Sequence, residues 1–148
     1  MISQTAEYAL RAMTYLADQE RTPHTTAQIA SATQIPAGYL AKVMQSLSRV
    51  RIVKSQRGLN GGFTLSREPA KLNMLEIINA VDPIRRFHEC PLGLPTHTGD
   101  LCPLHQRLDE AAQMLETYFR QTSIAQLLDV PDDKKPLCRF PNISKPTP

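Results

Sequence analysis

No run of apolar residues in this 148-residue chain extends beyond a few positions, far short of the roughly 20 that a membrane-spanning helix needs. The opening Met1-Ile2-Ser3-Gln4 lacks a basic cluster leading into an apolar core, so no secretory signal is expected. Cysteine is scarce: Cys90, Cys102 and Cys138 are an odd number and too few for a disulfide scaffold. The expectation is a soluble, cytoplasmic protein with no membrane partner, whose thiols are bystanders, reactive groups or metal ligands. A paired general base, a glycine-rich phosphate loop and an acidic metal cluster are all missing. Without them an enzyme is not expected, even though Cys90, Cys102 and His105 are the residue types of a hydrolytic zinc site or a cysteine nucleophile. No internal repeat is visible, and the length suits one domain of ordinary size.

The net charge of +3 hides an asymmetry. Residues 1–88 carry 11 Lys/Arg against 6 Asp/Glu, whereas residues 89–148 carry 6 against 8. Between Lys42 and Arg67 there are six basic side chains (Lys42, Arg49, Arg51, Lys54, Arg57 and Arg67) and no acid. A cationic stretch in a nearly balanced chain suits a polyanion such as a phosphate backbone. On charge alone, a solvated basic face explains it equally well.

Hydrophobic spacing predicts a mainly α chain. Ser3 is placed to cap a first helix with Ala6, Ala9, Leu10, Met13, Leu16 and Ala17 on one face. Thr25 and Gln28 stand at capping-box spacing before a short second helix. A third is expected from about Pro36 to Val50, with Leu40, Val43, Leu47 and Val50 inward. Two short helices packed on a longer one have the outline of a helix-turn-helix. Ile52-Val53 and Phe63-Thr64-Leu65 then flank a hairpin whose turn is expected at Asn60-Gly61, which makes a wing. Asn73 and Glu76 form another capping-box candidate, opening a helix that stops at Asp82-Pro83.

Residues 84–102 read as a loop. Pro103 starts a long helix to about Gln121 with Leu104, Leu108, Ala111, Leu115 and Phe119 at heptad-like spacing. Such a helix serves either as a dimer seam or in packing within the chain. Residues 123–128 suggest a short last helix. From Pro131 the chain has five prolines in 18 residues and is expected to be disordered, with Cys138 a free thiol. The expected fold is therefore a winged helix-turn-helix DNA-binding domain (1–82), a loop carrying the candidate cofactor thiols (83–102), a dimerisation helix with a short terminal helix (103–130) and a tail (131–148).

Three passages resemble the Rrf-type winged-helix regulators of bacteria, the IscR, NsrR, RirA and CymR group. They are Glu7-Tyr8-Ala9-Leu10-Arg11; the run from Ile29-Ala30 through Ile35-Pro36, Tyr39-Leu40 and Ser55-Gln56-Arg57-Gly58 to Gly61-Gly62-Phe63; and the Cys90 to His105 segment. The likeness covers about residues 1–130. It implies a homodimer reading a double-stranded DNA operator and acting as a transcriptional regulator. A recognition helix presents small and polar side chains near its start to base edges. Here Gly38, Tyr39, Lys42, Gln45 and Arg49 occupy the outward positions, with Lys42 and Arg49 supplying backbone attraction. Tyr39 serves alternatively as a packing residue. In the wing, Ser55, Arg57, Gly58 and Gly61 are candidate DNA contacts, Arg57 entering a minor groove; the glycines serve the turn in any case. Gln28 is placed to touch phosphate through its helix N-terminus, although capping already explains it. The family's serines and acidic residue near the recognition-helix start are replaced by Pro36, Gly38 and Ala41, so the operator sequence is not readable.

The resemblance also implies an iron–sulfur cluster, of the 2Fe-2S type. The family's cluster-binding members carry three cysteines, each separated by five residues, and IscR-like members add a histidine three residues after the last. In this chain that register falls on Cys90, Thr96, Cys102 and His105, so the middle cysteine is replaced by Thr96. NsrR-like members take an acidic ligand from the first helix of the partner subunit, the position of Glu7. The implied ligand set is thus Cys90, Cys102, His105 and Glu7 of a second copy, a mixture that such clusters accept. His97 or His88 can stand in if the loop shifts, and each is otherwise a solvated loop histidine. Three alternatives stay open: another metal, bare-thiol redox sensing, or a cofactor-free, CymR-like regulator controlled by a partner protein or a small ligand, with vestigial cysteines.

Overall fold

The computed structural model describes residues 1–97 and 99–136. The first helix, α1 (Gln4–Asp18), begins where the Ser3 hydroxyl accepts a hydrogen bond from the Ala6 amide at 3.2 Å. Its Ala6, Ala9, Ala12, Met13 and Leu16 face is fully inside. Helices α2 (Thr26–Thr33) and α3 (Ala37–Arg49) pack on it as the helix-turn-helix, and α2 carries the complete Thr25–Gln28 capping box. Between them Gln34 adopts a left-handed conformation (φ 55°), and the Ile35 amide reaches back to the Ala30 carbonyl at 3.1 Å, which makes the turn tight.

Two expectations at α3 are corrected. Pro36 is the residue before the helix rather than its first position; its carbonyl accepts the Leu40 amide at 2.9 Å, so the ring's missing N–H costs nothing there. Val50 is 53% exposed, and Met44 fills the fourth inward place. The chain turns left-handed at Arg51 (φ 61°), where the Arg51 amide bonds Ser48 O and the Ile52 amide bonds Leu47 O, both at 3.0 Å. That closure swings Ile52, not Val50, into the core.

Strands β1 (Val53–Gln56) and β2 (Gly62–Leu65) pair antiparallel from Val53↔Leu65 to Gln56↔Gly62. The turn is not a two-residue Asn60-Gly61 turn. Gly58 O accepts the Gly61 amide at 3.0 Å, which puts Leu59 and Asn60 at its centre. Only Gly58 (φ 111°) and Gly62 (φ 145°) take positive φ there, so Asn60 never adopts the left-handed form that a type I′ turn requires. His24, just before α2, bridges to Phe63 through paired bonds of 2.7 and 3.1 Å and anchors the wing to the body.

A short 3₁₀ turn (Pro69–Lys71) leads to α4 (Met74–Val81), opened by the Asn73–Glu76 capping box. Helix α5 (Pro103–Gln121) follows the loop, and α6 (Ile124–Leu128) closes the fold with a third capping box, Ser123–Gln126. Asn73 and Ser123 form an isolated bridge that stitches the start of α6 to the start of α4. One core gathers Leu40, Met44, Leu47, Leu72, Ile77, Ile78 and Ile124; each such large side chain contributes roughly 1.5–3 kcal/mol on burial. On α5 only Phe119 is buried and Leu115 half-buried, so Phe119 packs within the chain rather than on an outer seam. Leu104, Leu108, Met114 and Tyr118 stay 46–73% exposed.

The start of the expected disordered tail is ordered. Asp132–Lys134 form a 3₁₀ turn, and Lys135 pairs with Asp132 at 2.9 Å and with Asp18 of α1 at 3.6 Å. These ion pairs supply the anchoring that an apolar pattern did not. The rest of the tail, with Cys138, lies outside the described residues. Among the described residues no helix is long and apolar enough to cross a membrane.

Candidate functional site

Two groups of side chains stand apart from the packing. The first is the outer surface of α3 and the wing. Gly38, Lys42, Gln45, Arg49, Ser55, Arg57 and Gly58 are all exposed, and Gly61 is half-buried at the turn. Among the described residues Lys42, Arg49, Arg51, Lys54 and Arg57 take no ion pair, whereas Arg67, the last of the basic stretch, is held by Glu76 at 2.8 Å. The uncompensated cations therefore run from α3 through β1 to the hairpin turn. Leu40, Val43, Met44 and Leu47 hold the opposite face of α3 in the core. Gln28 is exposed, and its side-chain oxygen accepts the Thr25 amide at 2.8 Å, so its capping role is real.

Tyr39 makes the packing contacts that one of its two readings expects. It is 39% exposed at the start of α3, yet its hydroxyl hydrogen-bonds Thr5 and its ring meets Tyr8 edge-on at 5.4 Å. Arg11 lies over the Tyr8 ring, its guanidinium carbon 5.3 Å from the centroid. The same Arg11 chelates Glu7, with Nη2 at 2.6 and 2.8 Å from the two carboxylate oxygens, and donates to Thr33 O at 3.0 Å. Glu7 is thus committed to Arg11 within its own chain and is not brought to the thiols of that chain.

The second group is the loop. Cys90, Cys102 and His105 offer donor atoms that all lie within 4.8 Å of one another. His105 Nδ1 is 3.1 Å from Cys102 Sγ and 3.8 Å from Cys90 Sγ. Cys102 caps α5 and Pro103 is its first residue, so His105 falls one turn in, on the same side as the thiol. The His105 backbone N–H, and next its imidazole, draw the Cys102 thiol down to about 7. A lowered thiol beside a second thiol and an imidazole is a donor set suited to iron–sulfur or zinc. Thr96 is exposed, while His97 Nδ1 lies 3.4 Å from Cys90 Sγ; His88 is exposed.

The structure adds residues that local sequence patterns did not reveal. Arg86 binds Asp109 through two bonds of 2.7 and 2.8 Å and Glu116 through one of 2.9 Å, and the Phe87 amide donates to Asp109 at 2.8 Å. Asp109, held by Arg86 first and then by that amide, stays at about 2. Phe87 in turn packs on His105, ring centroids 5.1 Å apart. The clamp fastens the segment before Cys90 onto α5 one turn from His105. Asp109 at i+4 from His105 was the only local signal of it.

Comparison with known proteins completes the identification. A family model described as Rrf2, iron-dependent transcriptional regulator, matches residues 2–130. An HTH-type transcriptional regulator of Aquifex aeolicus is 31% identical over 133 residues, covering 88% of this chain and 92% of that protein. The regulator NsrR of Shouchella clausii is 28% identical over 147 residues, covering 94% and 95%. Among solved structures, IscR of T. potens superposes with a TM-score of 0.71 at 23% identity, covering 86% and 85%. CymR of B. subtilis, the global cysteine regulator, gives 0.70 at 23%, covering 86% and 95%. Its winged helix-turn-helix, its outward cations and these matches agree: the chain belongs to the Rrf2 family of transcriptional regulators and is not an enzyme.

Proposed function

We propose that this protein is a homodimeric, cytoplasmic regulator that binds a near-palindromic DNA operator and changes its grip when an iron–sulfur cluster, of the 2Fe-2S type, is gained, altered or lost. The convergence of Cys90, Cys102 and His105 at the N-terminus of α5 is the observation that carries this reading. When bound there, such a cluster supplies redox and ligand-exchange chemistry that responds to oxidants, iron supply or nitric oxide. Three of its protein ligands come from one chain. The fourth falls to Glu7 of a second copy, as the resemblance implies, or to a donor nearer at hand.

The chain's own residues connect this site to DNA. His105 lies in the first turn of α5, and Arg86, Asp109 and Phe87 tie that turn to the segment leaving α4. A second copy covers the exposed Leu104, Leu108, Ala111, Met114 and Tyr118 surface of α5, so movement there changes the relation of the two heads. In each head Gly38, Tyr39, Lys42, Gln45 and Arg49 face the major groove, Ser55, Arg57, Gly58 and Gly61 track the backbone and minor groove, and Gln28 meets phosphate.

The test is anaerobic purification, with visible absorption and iron and sulfide counts, on wild type and Cys102→Ala. Broad absorption with about two iron and two sulfide per chain, lost in Cys102→Ala, supports the sensor. Colourless, iron-free protein even after reconstitution refutes it and leaves the cofactor-free regulator. Arg57→Ala should weaken DNA binding and leave dimerisation intact; unchanged affinity at matched salt sinks the wing assignment.

A further inference from the structure

We propose that His97 is the fourth donor of the loop site, so that one chain alone presents two thiols and two imidazoles. The inference rests on the cluster reading above and names its ligand set; Glu7 of a second copy is the competing donor.

Three observations carry it. Thr96 stands where a cysteine would complete the spacing, and the next residue is the one whose side chain turns inward: His97 is half-buried beside exposed Leu94, Pro95 and Thr96. The loop is folded to bring it there. Gly93 takes φ 60° with its amide 3.4 Å from Cys90 O, and the His97 amide bonds Leu94 O at 2.9 Å in a 3₁₀ turn. These two turns reverse the chain and set His97 Nδ1 3.4 Å from Cys90 Sγ, seven residues back. Cys90, Cys102 and His105 form a group within 4.8 Å, with Cys102 Sγ 3.1 Å from His105 Nδ1, and His97 joins it through Cys90. Four donors of these types satisfy either a two-iron cluster or a tetrahedral ion.

Glu7, by contrast, is already occupied. Both its oxygens are held by Arg11, which also holds the Thr33 carbonyl, so ligation by Glu7 requires a chelated ion pair to open. His97 requires no such release. Such a cluster or ion would be held by the sulfurs of Cys90 and Cys102 and by the ring nitrogens of His97 and His105 that face them.

The experiment reconstitutes wild type, His97→Ala, His97→Cys and Glu7→Gln with ferric iron, sulfide and excess dithiol under nitrogen, then reduces each with dithionite. It reads iron per chain, the rate of cluster loss to a chelator, and nitrogen couplings in the pulsed EPR spectrum of the reduced form. Expected are two imidazole nitrogens in wild type and Glu7→Gln, and one in His97→Ala with cluster loss faster by about 10-fold or more. His97→Cys should retain the cluster with one nitrogen, which no merely structural role for His97 produces. One nitrogen in wild type, or cluster loss on Glu7→Gln with His97→Ala unchanged, overturns the proposal. If wild type assembles no cluster, the sensor reading fails separately, and cobalt(II) titration of the same proteins decides the ligand question. A tetrahedral cobalt spectrum weakened about 10-fold or more in affinity by His97→Ala supports the assignment; an unaffected or absent site overturns it.

Discussion

Gly38→Ala separates folding from recognition. Position 38 is the second residue of α3, exposed, and nothing lies within 4 Å of where a Cβ would stand. Glycine inside a helix costs about 0.5–1 kcal/mol relative to alanine because its backbone has more freedom to lose. Neither a close neighbour nor a positive φ requires glycine here. Alanine should therefore stabilise the fold by roughly 0.5 kcal/mol, at the low end because the site is in the first turn, and raise Tm by about 1–2 °C for a chain of this length. Any demand for glycine at 38 would come from outside the chain, from a backbone or base edge approaching α3 at its start, as the proposed DNA surface requires. A Cβ there displaces one such contact, and a loss of about 1–2 kcal/mol is a 5- to 30-fold fall in affinity. The assay pairs thermal melting with fluorescence anisotropy on a duplex enriched from a random pool by the wild-type protein. Because no charge changes, the salt slope should stay the same while affinity drops. Wild-type affinity would remove α3's start from the DNA surface, and a lowered Tm would refute the helix-propensity argument.

Three further outcomes follow from the geometry. Gly62→Ala forces a Cβ against the His24 backbone at φ 145°. It should cost about 2–4 kcal/mol from strain and the two lost His24–Phe63 bonds, visible as a Tm fall of about 5–15 °C; a change below about 2 °C would show that the wing is not anchored there. For Asp109 the folded value, about 2, lies below the ordinary 3.8, so its stabilisation is complete above 3.8 and is lost as pH falls through about 2. Asp109→Asn should flatten wild type's loss of stability across that acid window while lowering stability at pH 7, and parallel acid-unfolding curves would contradict the clamp. Leu108→Glu should raise the dimer dissociation constant by about 10-fold or more, since covering one large apolar side chain is worth roughly 1.5–3 kcal/mol. Sedimentation reads this, and the monomer's far-ultraviolet spectrum should not change because Leu108 is 46% exposed.

Much of this molecule was written in local patterns. Ser3, Thr25–Gln28 and Asn73–Glu76 announce their helices because a cap needs only residues three apart, and the structure contains all three. The hairpin was legible for the same reason, although its turn was placed one residue late, since glycines at 58, 61 and 62 allow several closures and Asn60-Gly61 is only one. Long-range chemistry was not legible. Arg86 meets Asp109 across 23 residues and Tyr39 meets Thr5 across 34, and no period or spacing links such positions. Within the loop, spacing found Cys90, Cys102 and His105, but the inward turn of His97 depends on backbone angles at Gly93 that a sequence pattern does not encode.

Helix α5 is fastened near both ends and bare along much of its outer side. Near its start the Arg86–Asp109 clamp grips it; at its end Phe119 sits in the core and the Asn73–Ser123 bridge sews the following turn to the body. A rod pinned in this way cannot swing like a hinged arm without breaking one fastening. Arg86 also holds Glu116, two turns beyond Asp109, so α5 and the segment before Cys90 are bound into one piece. A displacement at the thiol-bearing end of α5 is therefore passed to the body as a whole instead of being absorbed by a hinge.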